Sequence, residues 1–320
     1  MSVSYPVEIT APDISAYAAG NTGIPHVWSF DSGAPGPHVA ITALVHGNEP
    51  CGAIALDWLL RRGVRPERGR RALAFVNTAA CAAFDPARPD DSRWVEEDFN
   101  RLWSPAVLDD TSRRLTPDLA RAREIRPWLD TVDLLLDIHS MQHRTEPLML
   151  AGWQPKGRDL ARAVGRPAAV VSDRGHAEGV RMRDYGGFSD AGSVRNALLV
   201  ECGQHWEAAA ADVAIETALG FLRASGAVAP DYGADWLETR PAPGAMRFYE
   251  VTAPITVETD AFRFAADWRG FEHLPEGTLI GHDGKREIRA PHPVTVLIMP
   301  SKRLWPGKTA VRLARPVEMG

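Results

Sequence analysis

The chain has 320 residues, 45% hydrophobic and 24% charged, with 36 basic against 41 acidic side chains and a formal net charge of −5. That length supports a sizeable buried core, and the ordinary globular composition excludes collagen-like, repetitive and disordered classes. The two signs of charge are mixed along the sequence, without the basic stripe that a nucleic-acid binder needs, and the arginines from Arg61 to Arg71, broken by Gly63, Pro66 and Gly69, are expected in a solvated turn.

Met1–Asp13 is polar and carries no apolar segment of signal-peptide type, and no run of eighteen apolar residues occurs. The three cysteines, Cys51, Cys81 and Cys202, are too few and too widely spaced for a disulfide framework. These features predict a reducing, cytoplasmic setting and no membrane partner.

The first element is His38–Val45 (HVAITALV), apolar and β-branched, a strand buried on both faces. It stops at His46-Gly47-Asn48-Glu49-Pro50. Gly52–Arg62 then shows apolar residues at helical spacing and ends at Gly63. Arg71–Asn77 (RALAFVN) predicts a second strand, and strand, helix, strand in that order predicts a parallel α/β sheet. Ala79–Thr116, rich in Asp, Pro and Arg, is expected to be long loops. A helix over Pro117–Leu129 leads to a strand at Asp133–Ile138 (DLLLDI). A further strand at Asn196–Val200 ends at Glu201, and Trp206–Ser225 is an amphipathic helix. Past Thr239–Gly244 the pattern changes to short β-type runs with frequent Pro and Gly turns, the best being Val251–Val257, Thr278–Gly281 and Val294–Met299. A boundary near residue 240 would leave an α/β catalytic domain over 1–240 and a small β domain over 241–320.

His46, His139 and Glu201 all stand where apolar strands end. In an open parallel sheet, ligands bind in the crevice at the carboxyl ends of strands, so residues distant in sequence meet there. Glu49 follows His46 by three residues across a turn that Gly47 permits. Two imidazoles and a carboxylate are a known catalytic zinc set. Such a site leaves room for water, whose pKa zinc lowers. A separate carboxylate must then move the proton, and Glu201 is the candidate.

Alternatives stand beside this reading. His-x-x-Glu occurs three times, at His46/Glu49, His143/Glu146 and His273/Glu276, but only the first begins at a buried strand end and runs into a helix. His139 and His143 would share one face only if they lay on a helix, against the strand pattern of Leu134–Ile138 and the nearby Pro147. Cys202 with His205 would make a thiol nucleophile and base, but it lacks an orienting third group. A metal-binding protein without catalysis would have no need of Glu201.

At these residues the chain resembles the succinylglutamate desuccinylase/aspartoacylase family, relatives of the zinc carboxypeptidases. HGNE (His46–Glu49), DFNR (Asp98–Arg101), DIHS (Asp137–Ser140) and VECG (Val200–Gly203) carry the likeness, in the family's order over most of the first 240 residues. The resemblance implies a mostly parallel mixed sheet flanked by helices, with a small C-terminal β domain. It implies one Zn2+ per chain on His46, Glu49 and His139, with Glu201 as general acid and base. It also implies that Arg93 stabilises the oxyanion on the attacked carbonyl, and that Asn100 and Arg101 grip a substrate carboxylate. Asp137 either orients the ligand His139 or caps the strand end.

The expected reaction is hydrolysis of an amide in a small N-acyl amino acid or related N-acyl amine. A carboxypeptidase acting on short peptides through the same site is the alternative. The expected partner is therefore a small molecule, and homo-oligomerisation stays open. One departure bears on the substrate. Aspartoacylases carry a further arginine about ten residues before the catalytic glutamate, and here that place falls near Ala191, in the Gly-rich stretch Tyr185–Ser193. Arg181, Arg183 and Arg195 are near, and none aligns with it. The Gly-rich stretch is expected to be a mobile loop or lid. The segments TLIGHDG and IRAPHPVTVLIMP look like the β domain appended in bacterial members. They are expected to wall the site, with His282 and His292 structural.

Overall fold

The computed structural model describes residues 5–63, 65–176 and 178–318. Its strands are β1 (Val27–Asp31), β2 (His38–Ala43), β3 (Arg70–Phe75), β4 (Leu134–Met141), β5 (Leu148–Leu150), β6 (Ala169–Ser172) and β7 (Asn196–Gln204). They continue with β8 (Arg247–Thr256), β9 (Arg263–Phe264), β10 (His273–Leu274), β11 (Leu279–Asp283), β12 (Arg286–Arg289), β13 (Thr295–Ile298) and β14 (Thr309–Val317). Among the described residues eleven strands form one sheet, ordered β1-β3-β2-β4-β7-β5-β6-β8-β14-β13-β10, and a second sheet runs β12-β11-β9. β3, β2, β4 and β7 are mutually parallel, whereas β1 and β5 run antiparallel to their neighbours β3 and β7. The expected α/β class with a mostly parallel mixed sheet is the one observed.

Alternation along β2 explains why the sheet is buried on both sides. Val39, Ile41 and Ala43 face a core shared with Leu56, Leu59, Leu219 and Leu222, which come from the helices Pro50–Arg61 and Ala208–Ala224. Ala40 faces the other core, with Leu119 and Ile125 of the helix Pro117–Leu129 and with Trp103. Residues two apart share a face of a strand, so both faces must be apolar when helices cover both. The helices start where proline is best tolerated: Pro50, Pro117 and Pro155 each occupy the first turn, where a missing N–H costs nothing. Thr116 caps the second of these through Oγ1, 3.0 Å from the Leu119 nitrogen, a contact worth about 1 kcal/mol.

The long loop region is held by one carboxylate. Asp118, fully buried, accepts from the backbone nitrogens of Val95, Glu96 and Glu97 at 3.2, 2.8 and 3.2 Å, and from the Asn77 amide at 2.8 Å. It thereby ties the segment that carries Arg93, Asn100 and Arg101 to the sheet. Short helices at Thr78–Ala82 and Pro105–Leu108 and a 3-10 turn at Phe99–Arg101 interrupt that region.

Two local expectations are corrected, and several elements are added. Arg71, read both as the end of a solvated turn and as the start of a strand, belongs to the strand: it lies on β3, is fully buried, and its guanidinium carbon stands 5.2 Å from the centre of the Phe30 ring. The Gly-rich stretch is not a lid. Tyr185 and Phe188 are buried in the core, and Lys156 Nζ lies within 3.0 Å of the carbonyl oxygens of Gly187, Asp190, Ser193 and Arg195. β1, β5, β6 and the helix Pro155–Val164 were not anticipated at all. β5 and β6 are only three and four residues long, too short to show a period.

Residues after 240 are β-rich, and they extend the main sheet: β8 pairs in parallel with β6, and β14, β13 and β10 follow it. The connection between β13 and β14 returns to the carboxyl ends of the central strands. No helix among the described residues is long and apolar enough to cross a membrane.

Candidate metal centre and its cavity

The turn after β2 sets the first two candidate ligands. Leu44 takes a left-handed conformation, φ 62°, and the chain leaves the sheet. Gly47 is then needed for close approach: a Cβ there would stand 2.3 Å from the Ala80 carbonyl carbon. Glu49 takes the N-cap position of the helix that begins at Pro50 but makes no side-chain capping bond, which leaves its carboxylate to face His46. His139 arrives from β4, which continues past Ile138 to Met141, so His139 sits within the strand.

Glu49 is the hub. His46 Nδ1 lies 2.8 Å from its Oε1 and His139 Nδ1 lies 3.0 Å from its Oε2, while the Ser140 backbone nitrogen donates to Oε2 at 3.0 Å. All three side chains are buried, and one ligand atom from each lies within 4.8 Å of the others. Burial opposes ionisation of Glu49, but His46 and His139 outweigh it and hold the carboxyl well below its ordinary range.

The outer nitrogens have their own acceptors. His139 Nε2 is 2.9 Å from Asp137 Oδ2, whose other oxygen accepts from Thr42 Oγ1 at 2.7 Å. His46 Nε2 is 3.1 Å from Asp98 Oδ1. For Asp98 too, burial is outweighed, here by Arg101 and then His46, and its carboxyl is held well below the usual range. Each imidazole thus has a carboxylate fixing its outer nitrogen and turns its inner one toward a common point, the arrangement found around protein-bound metal ions. By donor chemistry and convergence the group fits a zinc ion. His143 lies outside it. That residue is buried at the cavity wall, edge-on to Tyr5 at 6.4 Å, and β4 denies it a shared helix face with His139.

Glu201 is the register partner of His139 across β4 and β7. It is buried, and its Oε2 has no hydrogen-bond partner among the described residues. Burial pushes its carboxyl up to about 8, and Glu49 adds to that push while His139 and Arg93 oppose it. Arg93 donates from Nη1 to Glu49 Oε1 at 2.9 Å. Asn100 has its side-chain oxygen occupied by the Met182 nitrogen, at 2.9 Å, which leaves its amide N–H groups to offer. Arg101 donates from Nη1 to the Asn100 carbonyl at 2.7 Å, and its Nη2 stands 3.1 Å from His176 Nε2. All seven sequence-predicted residues line one cavity, together with Arg303, Lys308 and Arg312 from beyond residue 240.

His176, Arg303 and Arg312 were missed. Nothing in their sequence surroundings marks them, because each reaches the cavity only through long-range packing. The Cys202–His205 pairing is absent: His205 Nδ1 is 2.8 Å from Ser140 Oγ, burial pushes its imidazole down to about 3, and Cys202 packs into the apolar core.

The comparisons with known proteins agree with this architecture. The model of the succinylglutamate desuccinylase/aspartoacylase catalytic domain matches residues 35–223. No curated protein matches the chain in sequence. Among solved structures, succinylglutamate desuccinylase from Vibrio parahaemolyticus superposes with TM-score 0.65 at 17% identity, over 92% of this chain and 87% of that one. A succinylglutamate desuccinylase/aspartoacylase from Rhodobacter sphaeroides gives 0.64 at 18% identity, over 92% and 90%. The product-bound ectoine utilization protein EutE (DoeB) from Ruegeria pomeroyi gives 0.60 at 16% identity, over 91% and 88%. These likenesses show a shared fold.

Proposed function

Because the chain belongs to the succinylglutamate desuccinylase/aspartoacylase family, we propose that it is a zinc-dependent deacylase, hydrolysing the amide of a small N-acyl amino acid or related N-acyl amine. The observation that carries this reading is a buried carboxylate, Glu201, in register with His139 of the His46–Glu49–His139 group and without a hydrogen-bond partner on Oε2.

His46, Glu49 and His139 would hold the metal, one ion per chain. When bound, zinc polarises a carbonyl and lowers the pKa of water. Glu201 takes the proton from the attacking water and delivers it to the departing nitrogen. A carboxyl group whose surroundings raise its proton affinity is suited to both halves of that transfer. Arg93 offers its guanidinium to the oxygen on which negative charge develops, and a fixed donor there strengthens as the charge grows. Asn100 and Arg101 hold a substrate carboxylate, the Asn100 amide donating N–H groups and Arg101 its charge. Residues 1–240 supply this chemistry, and 241–320 close the cavity on one side so that only small substrates enter.

Hydrolysis of a panel of N-acyl amino acids by the zinc-loaded protein tests the reading. Release of free amine is expected from at least one of them, and short peptides should be poorer substrates. Preference for peptides would make the chain a carboxypeptidase instead.

A further inference from the structure

The segment that follows β6 runs between two parts of the cavity wall. On one side Gly179 lies against the loop that carries Arg101. A Cβ there would stand 2.3 Å from the Arg101 carbonyl oxygen, and the next carbonyl, of Val180, accepts from the Trp103 nitrogen at 3.2 Å. On the other side Glu178 accepts from Lys308 Nζ at 2.6 Å and from the Thr309 nitrogen, where β14 begins, at 3.2 Å. His176 belongs to the same segment and stands between Arg101 and Arg312 of β14.

The donors around that imidazole leave it one arrangement. Arg101 Nη2 is 3.1 Å from His176 Nε2, and Arg312 Nη2 contacts the same nitrogen. A guanidinium carries only donors, so Nε2 must accept from both and the ring proton must sit on Nδ1. Nδ1 is buried, with no hydrogen-bond partner among the described residues. Carboxylates do not take over the role of Nε2. Asp98 Oδ2 is 3.9 Å from Arg101 Nη2 and Asp173 Oδ2 is 3.7 Å from Arg312 Nε, both beyond hydrogen-bond reach. Two like charges therefore meet across one neutral acceptor. Without it they would repel, and Arg101 would keep the Asn100 carbonyl, at 2.7 Å, as its direct hydrogen-bond partner.

We propose that His176 is a positioning residue: its Nε2 lone pair holds Arg101 and Arg312 together and so aims Arg101 at the substrate carboxylate. The grip on substrate then depends on β14, through a single imidazole. This rests on the deacylase reading, in which Asn100 and Arg101 take that carboxylate.

Kinetics of the zinc-loaded protein on N-acetyl-L-alanine and N-acetyl-L-alaninamide test it. His176→Phe keeps a ring and removes the acceptor. It should raise KM for the acid about tenfold more than for the amide, with the loss in KM rather than in kcat. His176→Gln, whose side-chain oxygen can accept from both guanidiniums, should recover most of that loss. In an Arg101→Met background His176→Phe should add little, because a residue that acts through Arg101 has nothing left to act on. Equal losses on acid and amide, full additivity with Arg101→Met, or a wild type that does not prefer the acid would overturn the proposal.

Two readouts need no turnover. Calorimetric binding of the same acid and amide repeats the cycle. Coupling between His176 and Arg101 in a chain that cleaves neither would sink the deacylase and keep the positioning role. NMR of nitrogen-labelled histidine reads the ring itself, with Nδ1 protonated and Nε2 bare expected from about pH 7.5 down to about pH 5. A His176 that carries its proton on Nε2, or that titrates near the ordinary value of about 6.5, would remove the role whatever the activity.

Discussion

His139 and Glu201 are register partners on adjacent parallel strands, β4 and β7. Neighbouring strands lie about 4.8 Å apart, so the sheet itself sets the distance between a candidate metal ligand and the candidate proton carrier. A slip of one residue would turn either side chain to the opposite face. The pairing is locked on the amino-terminal side by four consecutive pairs, from Leu135↔Ala197 to Ile138↔Val200, in which Asp137 is the single polar member.

Glu201→Gln keeps the shape of the side chain and removes its basicity. It should retain zinc while kcat falls by about 10²- to 10⁴-fold. Metal analysis and kinetics on the same preparation check this, and undiminished turnover would remove Glu201 from the mechanism.

Asp137→Asn leaves His139 without the carboxylate on its outer nitrogen, and Asp98→Asn does the same for His46. Each should weaken zinc binding by about 10- to 100-fold with the fold intact. Competition against a chelator of known affinity reads the change. Unchanged affinity in both variants would show that these acids do not orient ligands.

Asp118 carries no chemistry but gathers three backbone nitrogens and one amide. Asp118→Ala strands those donors, and it should cost about 3 kcal/mol or more of stability in urea unfolding. It should also raise KM, because Arg93, Asn100 and Arg101 ride on the loop it holds. A stable variant with normal KM would contradict that role.

His176 provides a pH signature. Burial, reinforced by Arg312 and Arg101, holds its imidazole well below the ordinary value of 6.5, with Arg181 adding to the effect and Asp98 opposing it. The native state keeps it neutral while the unfolded chain protonates it near 6.5, so its contribution to stability is full above that pH. It is lost as pH falls toward the folded value, by at most about 1.4 kcal/mol per pH unit. Melting temperatures at about pH 7.5 and about pH 5 should therefore fall less for His176→Gln than for the wild type. Equal falls would contradict the assignment.

Much of the site was legible because its residues sit at fixed points of the pattern. His46 follows a buried apolar run, and His139 and Glu201 lie at the ends of two more. Arg93, Asn100 and Arg101 lie in a loop without periodicity, and only the DFNR likeness pointed to them. Their positions depend on Asp118, whose partners are more than twenty residues away in chain order, and no local rule reveals that. Arg303 and Arg312 were illegible for a related reason: they reach the cavity because β8 and β14 extend the sheet, a long-range pairing that propensity does not encode. Arg71 could be read both as turn and as strand because arginine is seldom fully buried, and its neighbours Arg68 and Arg70 are exposed.

The most direct measurement is the metal content of the purified chain, taken together with hydrolysis of N-acyl amino acids before and after chelation. About one zinc per chain is expected, with activity lost to the chelator and restored by zinc. A metal-free chain that hydrolyses these amides at an unchanged rate would contradict the metal mechanism outright.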